Sequence, residues 1–343
     1  MRLARISLTL ACILLPAIAA GNSDGPTDEK AQKTYNAALK NLHDHNNGSA
    51  LDGFKKADKQ DGGHCLPCQR QMIKIGIDLE DWKTAELAAT EMIGEAQGDR
   101  DAAIAHHQFG FVLMNEAYHK HKDELFARAH EEMTEALFSH ANFPDALFLD
   151  GKALAQLRQD DAAVARFQQF VKIDPKEDPD YQRALRFISR IELARANMAP
   201  AFAVTTIDGN RITMDDLQGR VVLLDFWATW CGPCREALPH IQKVAKKFQG
   251  QPLVILSVSL GKDEQAWKTF IAKNEMTWLQ YRDGYFGGPL SKLFGVNAIP
   301  HTFTIDADGV LQEEHIGDAS IEGKLNKLLV RAREVQAASN SKK

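Results

Sequence analysis

The stretch Val221–Arg235, Val-Val-Leu-Leu-Asp-Phe-Trp-Ala-Thr-Trp-Cys-Gly-Pro-Cys-Arg, limits what this chain can fold into more than any other. Its first seven residues are an almost unbroken apolar run, of the length and kind expected of a strand buried on both faces. The run leads through Trp230 into Cys231-Gly232-Pro233-Cys234, and a helical segment follows over Cys234–Phe248. A thiol at a helix start faces unpaired N–H groups and the positive end of the helix dipole, which stabilises thiolate over thiol. The two-residue spacing puts the sulfurs within bonding reach across one helical turn, and Pro233 in the first turn forfeits no hydrogen bond. These residues therefore predict a dithiol/disulfide couple, with Cys231 as the exposed attacker and Cys234 as the thiol that resolves the mixed disulfide.

Around this motif, short strands are expected at Phe202–Ile207, Leu253–Leu260 and His301–Ile305, and helices at Glu264–Asn274 and Ile321–Val335. Asp208-Gly209 and Asp308-Gly309 mark tight turns. Strands alternating with helices predict a layered α/β domain over residues 199–336, followed by a disordered tail, 337–343. The segment Asp225–Cys234 resembles the thioredoxin superfamily. Ala199-Pro200-Ala201-Phe202, Leu217-Gln218-Gly219-Arg220 and Gly295-Val296-Asn297-Ala298-Ile299-Pro300 resemble its exported TlpA/ResA-type branch. The resemblance implies a thioredoxin fold. It also implies that Pro300 is a cis-proline facing the cysteine pair, and that Asp225 is a buried carboxylate that helps proton transfer at Cys234. Trp230, Gly232 and Pro233 flank or separate the cysteines as in that family. The chain departs from the pattern at His301, where Thr or Ser is usual, and no Lys can be placed opposite Asp225. A peroxiredoxin is excluded, because no Pro-x-x-x-Thr-x-x-Cys spacing precedes either cysteine.

Residues 31–196 read differently: rich in Ala, Leu, Glu, Lys and Gln, with few β-branched runs. Pro144–Pro175 resembles a tetratricopeptide repeat, with Asp160 and Asp161 at the turn between paired helices and Pro175 at the exit. The set Ala163, Phe167, Phe170 recurs 34 residues upstream as Ala129, Met133, Ala136. Further sets are Ala85, Ala89, Met92 and Ala50, Phe54, Ala57. The step from Ala85 to Ala129 is 44, which predicts an insertion around Ala117–Glu124. The expected architecture is thus four helix pairs plus a capping helix, Tyr181–Ala196, followed by the thioredoxin-like domain.

Residues 1–19 have the form of a secretory signal peptide, with Arg2 and Arg5 ahead of the apolar run Ile6–Ile18 and cleavage near Ala19/Ala20. Cys12 lies inside that segment. Export to the periplasm or cell envelope is the expectation, and there disulfides persist. The remaining four cysteines form two Cys-x-x-Cys pairs. For Cys65/Cys68, before the second repeat, two readings stand: a local disulfide stapling a helix start, or a thiol relay exchanging with Cys231/Cys234. Gln69 follows Cys68 where haem attachment needs His. The two pairs fall in different domains, so a four-cysteine zinc site is not expected. Nine of twelve His lie in the helical half, including His43/His45, His106/His107 and His119/His121, at spacings that share no helix face, and they read as solvated surface. No metal or cofactor is expected. With 41 basic against 46 acidic residues, general nucleic-acid binding is excluded.

The resulting expectation is an exported thiol–disulfide oxidoreductase that reduces protein disulfides. Its electrons would come from a membrane thiol donor, a partner the resemblance implies, and the repeats would recruit a protein or peptide. The alternative is an envelope scaffold built on the repeats, with the redox domain as an appendage.

Overall fold

The computed structural model describes residues 25–173, 179–316 and 321–340. They divide between Arg195 and Ala196 into two compact units. The expected signal segment and Pro175 lie outside the described residues.

The first unit is helical. Its helices are α1 (Glu29–His43), α2 (Asn47–Gln60), α3 (Leu66–Asp78), α4 (Trp82–Glu95), α5 (Asp99–Lys120), α6 (Asp123–Ser139), α7 (Pro144–Gln156), α8 (Asp160–Ile173) and α9 (Pro179–Ser189). They pack as the pairs α1/α2, α3/α4, α5/α6 and α7/α8, with α9 against α8. All four repeated triplets on α2, α4, α6 and α8 are buried, none more than 3% exposed. Within each pair the helices approach closely at a glycine. A Cβ on Gly76 would lie 3.1 Å from that of Ala85, and one on Gly151 2.8 Å from the Phe167 ring.

The turn inside each pair is the same. His45, Glu80, His121 and Arg158 take the left-handed conformation at φ 54–62°. The next residue's N–H then donates to the carbonyl five residues back: Asn46 to Asn41, Asp81 to Gly76, Lys122 to Ala117 and Gln159 to Leu154. This closure satisfies a carbonyl that the helix end leaves open.

The expected insertion is not a loop. It lengthens the helices instead: α5 has 22 residues and α6 has 17, against 13 in α3 and 14 in α4. The capping helix stops at Ser189 and gives way to a 3-10 turn, Ile191–Arg195. There the Arg195 guanidinium donates to the Ala155 carbonyl and to Asp160. The histidines of this unit are not simply solvated. His106 and His130 pair with Glu132 and Asp150 of neighbouring helices, and His119 with Glu80 in the turn between α3 and α4. Burial pushes His107 down to about 4, beside the Phe143 ring. The expectation failed because residues distant in sequence meet these side chains, Trp82 at His119 and Phe143 at His107, which spacing along one helix does not reveal.

The second unit holds a five-stranded mixed sheet in the order β5-β4-β3-β6-β7 and a small hairpin, β1 (Ala203–Thr205) with β2 (Arg211–Thr213). The sheet comprises β3 (Val221–Trp227), β4 (Leu253–Ser259), β5 (Leu279–Arg282), β6 (His301–Ile305) and β7 (Leu311–Ile316). β3 runs parallel to β4 and antiparallel to β6. It is buried along its whole length because both of its faces are covered. Val222, Leu224 and Phe226 face one core with Phe294 and Phe303. Val221 and Leu223 face the other, against α10 (Gly232–Lys247) and α13 (Glu322–Asn340). The period of two places Asp225 on this second, α10 side, between Leu223 and Trp227. α11 (Glu264–Lys273) and α12 (Pro289–Leu293) complete the unit. The tail expected to be disordered is helical through Asn340, since Gln336-Ala337-Ala338 are good helix formers, while residues 341–343 lie outside the described residues.

Candidate functional site

Cys231 is the N-cap of α10, with extended φ −80° and ψ 109°, and Pro233 lies in the first turn. The cap geometry aims the Cys234 N–H at Cys231 Sγ, 3.2 Å away. The two cysteines are joined as a disulfide. The Ile299–Pro300 peptide is cis. In the β3/β6 register Phe226 faces His301, so Pro300 comes level with the end of β3 from which the Cys231 turn departs. Cys231 Sγ lies 3.9 Å from the Ile299 carbonyl oxygen. Sequence-distant segments are thus brought together around the Cys231 sulfur.

Exposure does not separate the two thiols as expected: Cys231 and Cys234 are each 5% exposed. Both sit in an apolar cluster with Trp227, Ala228, Leu238 and Trp267, with Ile299 packed on it. This cover shields the helix start that sequence reasoning left open. The hydrogen bond from the Cys234 N–H does distinguish them, because it favours negative charge on Cys231 and offers Cys234 nothing equivalent.

Asp225 is 7% exposed and accepts a 2.9 Å hydrogen bond from Ser257 Oγ, directly across the β3/β4 ladder. Ser257 Oγ accepts in turn from Trp278 Nε1 at 2.8 Å, and Trp278 packs against the cysteine cluster. Sequence reasoning looked for a Lys opposite Asp225 and missed both partners. The signal for Ser257 was its place in β4, legible only once the strand register is known. Burial raises the Asp225 carboxyl to about 6, against the lowering effect of the Ser257 bond. The ordinary unfolded value is about 3.9, so the folded state holds a proton more tightly between these values. Stability from this group is therefore present at low pH and lost as pH rises through about 6. Asp225→Asn should stabilise the unit by up to about 3 kcal/mol above pH 7 and by nothing near pH 3. Denaturant titrations at the two pH values check this, and a gain that does not change with pH would refute it.

His301, next to Pro300, is 1% exposed, with Nε2 2.8 Å from Glu314 Oε1 of β7 and its ring stacked on Phe303 at 4.5 Å. Burial holds its pKa below the usual histidine value. Glu314 had no sequence signal, because β7 reads as a polar stretch.

Cys65 and Cys68 lie in the helical unit and are also joined as a disulfide. Cys65 caps α3, Pro67 is in the first turn, and the Cys68 N–H lies 3.2 Å from Cys65 Sγ, the same local arrangement as at α10. Buried Asp58 accepts the Cys65 N–H at 3.2 Å, and burial raises its carboxyl pKa. These cysteines are more deeply enclosed, at 1% and 0% exposure.

Residues 196–314 match the family model described as AhpC/TSA family. The chain is 30% identical over 145 residues to "Thiol-disulfide oxidoreductase ResA" of Bacillus anthracis, covering 41% of this chain and 83% of that protein. It is 30% identical over 132 residues to "Thioredoxin-like protein YneN" of Bacillus subtilis (strain 168), covering 37% and 74%. Among solved structures, a putative thiol:disulfide interchange protein DsbE from Chlorobium tepidum is similar at 29% identity. That match covers 40% of this chain and 96% of that one, with a TM-score of 0.36.

Proposed function

The chain belongs to the ResA-type, thioredoxin-like thiol–disulfide oxidoreductases, and on that premise we propose that it is an exported reductant of protein disulfides. The observation that carries the reading is the meeting of the Cys234 N–H and the Ile299–Pro300 segment at Cys231 Sγ, at the start of α10. In the reduced enzyme the Cys231 thiolate attacks one sulfur of the substrate disulfide. The Cys231–substrate disulfide forms and one substrate thiolate leaves. Asp225 takes the Cys234 proton, and the Cys234 thiolate attacks Cys231 Sγ. The second substrate thiolate leaves, and two electrons have passed to the substrate. A carboxyl titrating at about 6 is largely ionised at neutral pH yet basic enough to accept that proton. Pro300 lies beside the attack path. Gly232-Pro233 between the cysteines favours reduction as the working direction. A membrane thiol donor returns the electrons, and the helical repeats recruit the protein partner.

Cys231→Ser should abolish reduction of insulin and of glutathione disulfide, to background, in a coupled assay. Retained turnover would defeat the proposal.

For Cys65–Cys68 the near-complete burial favours the staple over the relay. Closing a loop of this size is worth about 2 kcal/mol. The Cys65→Ser/Cys68→Ser double variant should lose about that much stability in the helical unit. Its insulin reduction should match that of the unaltered chain, and a drop in turnover with stability intact would instead favour the relay.

A further inference from the structure

Three aromatic side chains of the second unit are turned to solvent: Trp230 at 59% exposure, Tyr285 at 53% and Phe286 at 40%. They are grouped. The Trp230 and Phe286 rings lie 6.4 Å apart, inclined at 52°, and Tyr285 is the neighbour of Phe286 in the chain.

The loop that carries Tyr285 and Phe286 is pinned at both ends. At its start the Asp283 and Gly284 N–H groups both donate to the Ser259 carbonyl at the end of β4. The Asp283 side chain, 6% exposed, turns back to accept the N–H groups of Leu290 and Ser291 at 3.0 and 2.7 Å, capping α12. Ser291 Oγ lies within hydrogen-bond distance of the Tyr285 and Gly288 carbonyls, at 3.1 and 3.2 Å. A side chain at Gly288 would collide with Asp283, its Cβ 2.5 Å from the carboxyl. Buried polar groups thus fix a short loop whose two large rings serve no core. Grouped exposed aromatics of this kind mark binding surfaces, since each offers a large apolar area at low entropic cost.

What covers them follows from their place. Trp230 is joined to Cys231, whose own exposure is only 5%. A polypeptide disulfide bonded to Cys231 Sγ has its flanking chain within reach of Trp230, the exposed neighbour in the chain, and through it of Phe286. We infer that Trp230, Tyr285 and Phe286 form a platform for an extended polypeptide carrying a large apolar side chain close to the attacked cysteine. The inference rests on the proposed reductase activity and names its substrate class: disulfides flanked by aromatic or large aliphatic residues, as an unfolded or misfolded chain presents them. The exchange chemistry is unchanged, and the platform acts on binding.

The test compares two peptide disulfides that differ only in the residues flanking cysteine, Leu and Trp in one, Ser in the other. The unaltered protein should prefer the apolar peptide about tenfold in kcat/KM, through KM. In the Tyr285→Ser/Phe286→Ala variant that ratio should fall toward one. Both substitutions are at exposed positions, and circular dichroism checks the fold. No preference in the unaltered protein, or a preference that survives in the variant, overturns the platform. Glutathione disulfide separates the two levels of inference. If the unaltered protein reduces neither it nor the peptides, the reductase reading fails and takes the platform with it.

Discussion

A Cys234→Ser variant should accumulate as mixed disulfides with its substrates, while turnover falls on the order of a thousandfold or more. The substitution leaves the backbone N–H of residue 234 in place, so the donor 3.2 Å from Cys231 Sγ survives and the attacking thiolate keeps its stabilisation. The second thiol is gone, and a serine hydroxyl cannot displace the substrate sulfur. The reciprocal Cys231→Ser variant should trap little. Its remaining thiol lies inside α10, and the 5% exposure shared by both cysteines means that access is not what ranks them. On the proposed mechanism the ranking comes from position at the helix start and from the N–H of residue 234 that Cys231 Sγ receives. Mass spectrometry of conjugates trapped from cell extracts reads the outcome. Equal yields from the two variants would overturn the assignment of attacker and resolver.

Phe167→Ala should cost the helical unit about 3–5 kcal/mol. The ring is fully buried and meets those of Phe148 and Phe187 at 5.6 and 5.2 Å. On its remaining side it covers the bare backbone of Gly151. From the Gly151 side no side chain can swing in to fill the space, since that residue has none. Gly151→Ala should also destabilise, by crowding the ring, and less so once Phe167 is Ala. The two losses are therefore non-additive, as expected of residues in contact. Urea denaturation followed by helical circular dichroism measures both, and strict additivity would show that the two positions do not share the contact.

How much was legible depended on how strongly each segment's residues preferred one environment. The apolar run Val221–Trp227 and the β-rich His301–Ile305 gave strand limits that the structure reproduces to the residue. β5 and β7 escaped notice because they lie at the sheet edges, where Leu279-Gln280-Tyr281-Arg282 and Leu311-Gln312-Glu313-Glu314-His315-Ile316 carry polar residues that mask the period. The repeat register was visible in the small and large residues that interlock. One hairpin turn was placed, at Asp160 and Asp161, which begin α8 just after it; the others were not, because His45, Glu80 and His121 occupy left-handed positions where glycine is the usual sign. At the candidate site, local sequence carried the cysteine pair and the family resemblance carried Asp225 and Pro300. Ser257, Trp278 and Glu314 join only through strand register and packing. The same holds for Asp58, brought to Cys65 from the preceding helix.

Lengthening is the change that the helical array absorbs most easily. Each of its four joints is closed by a backbone bond to a carbonyl five residues back, so a joint needs nothing from the far end of either helix. α5 exceeds α3 by nine residues, about 13 Å of extra rise, and the joint at His121–Lys122 is the same as the one at Glu80–Asp81. Insertions within the helices can therefore be inherited without re-engineering the hinge. A substitution at Gly76 or Gly151 has no such freedom, because there two helices share one space. The lineage of such an array should vary in reach between its hinges and stay conservative at its points of closest approach.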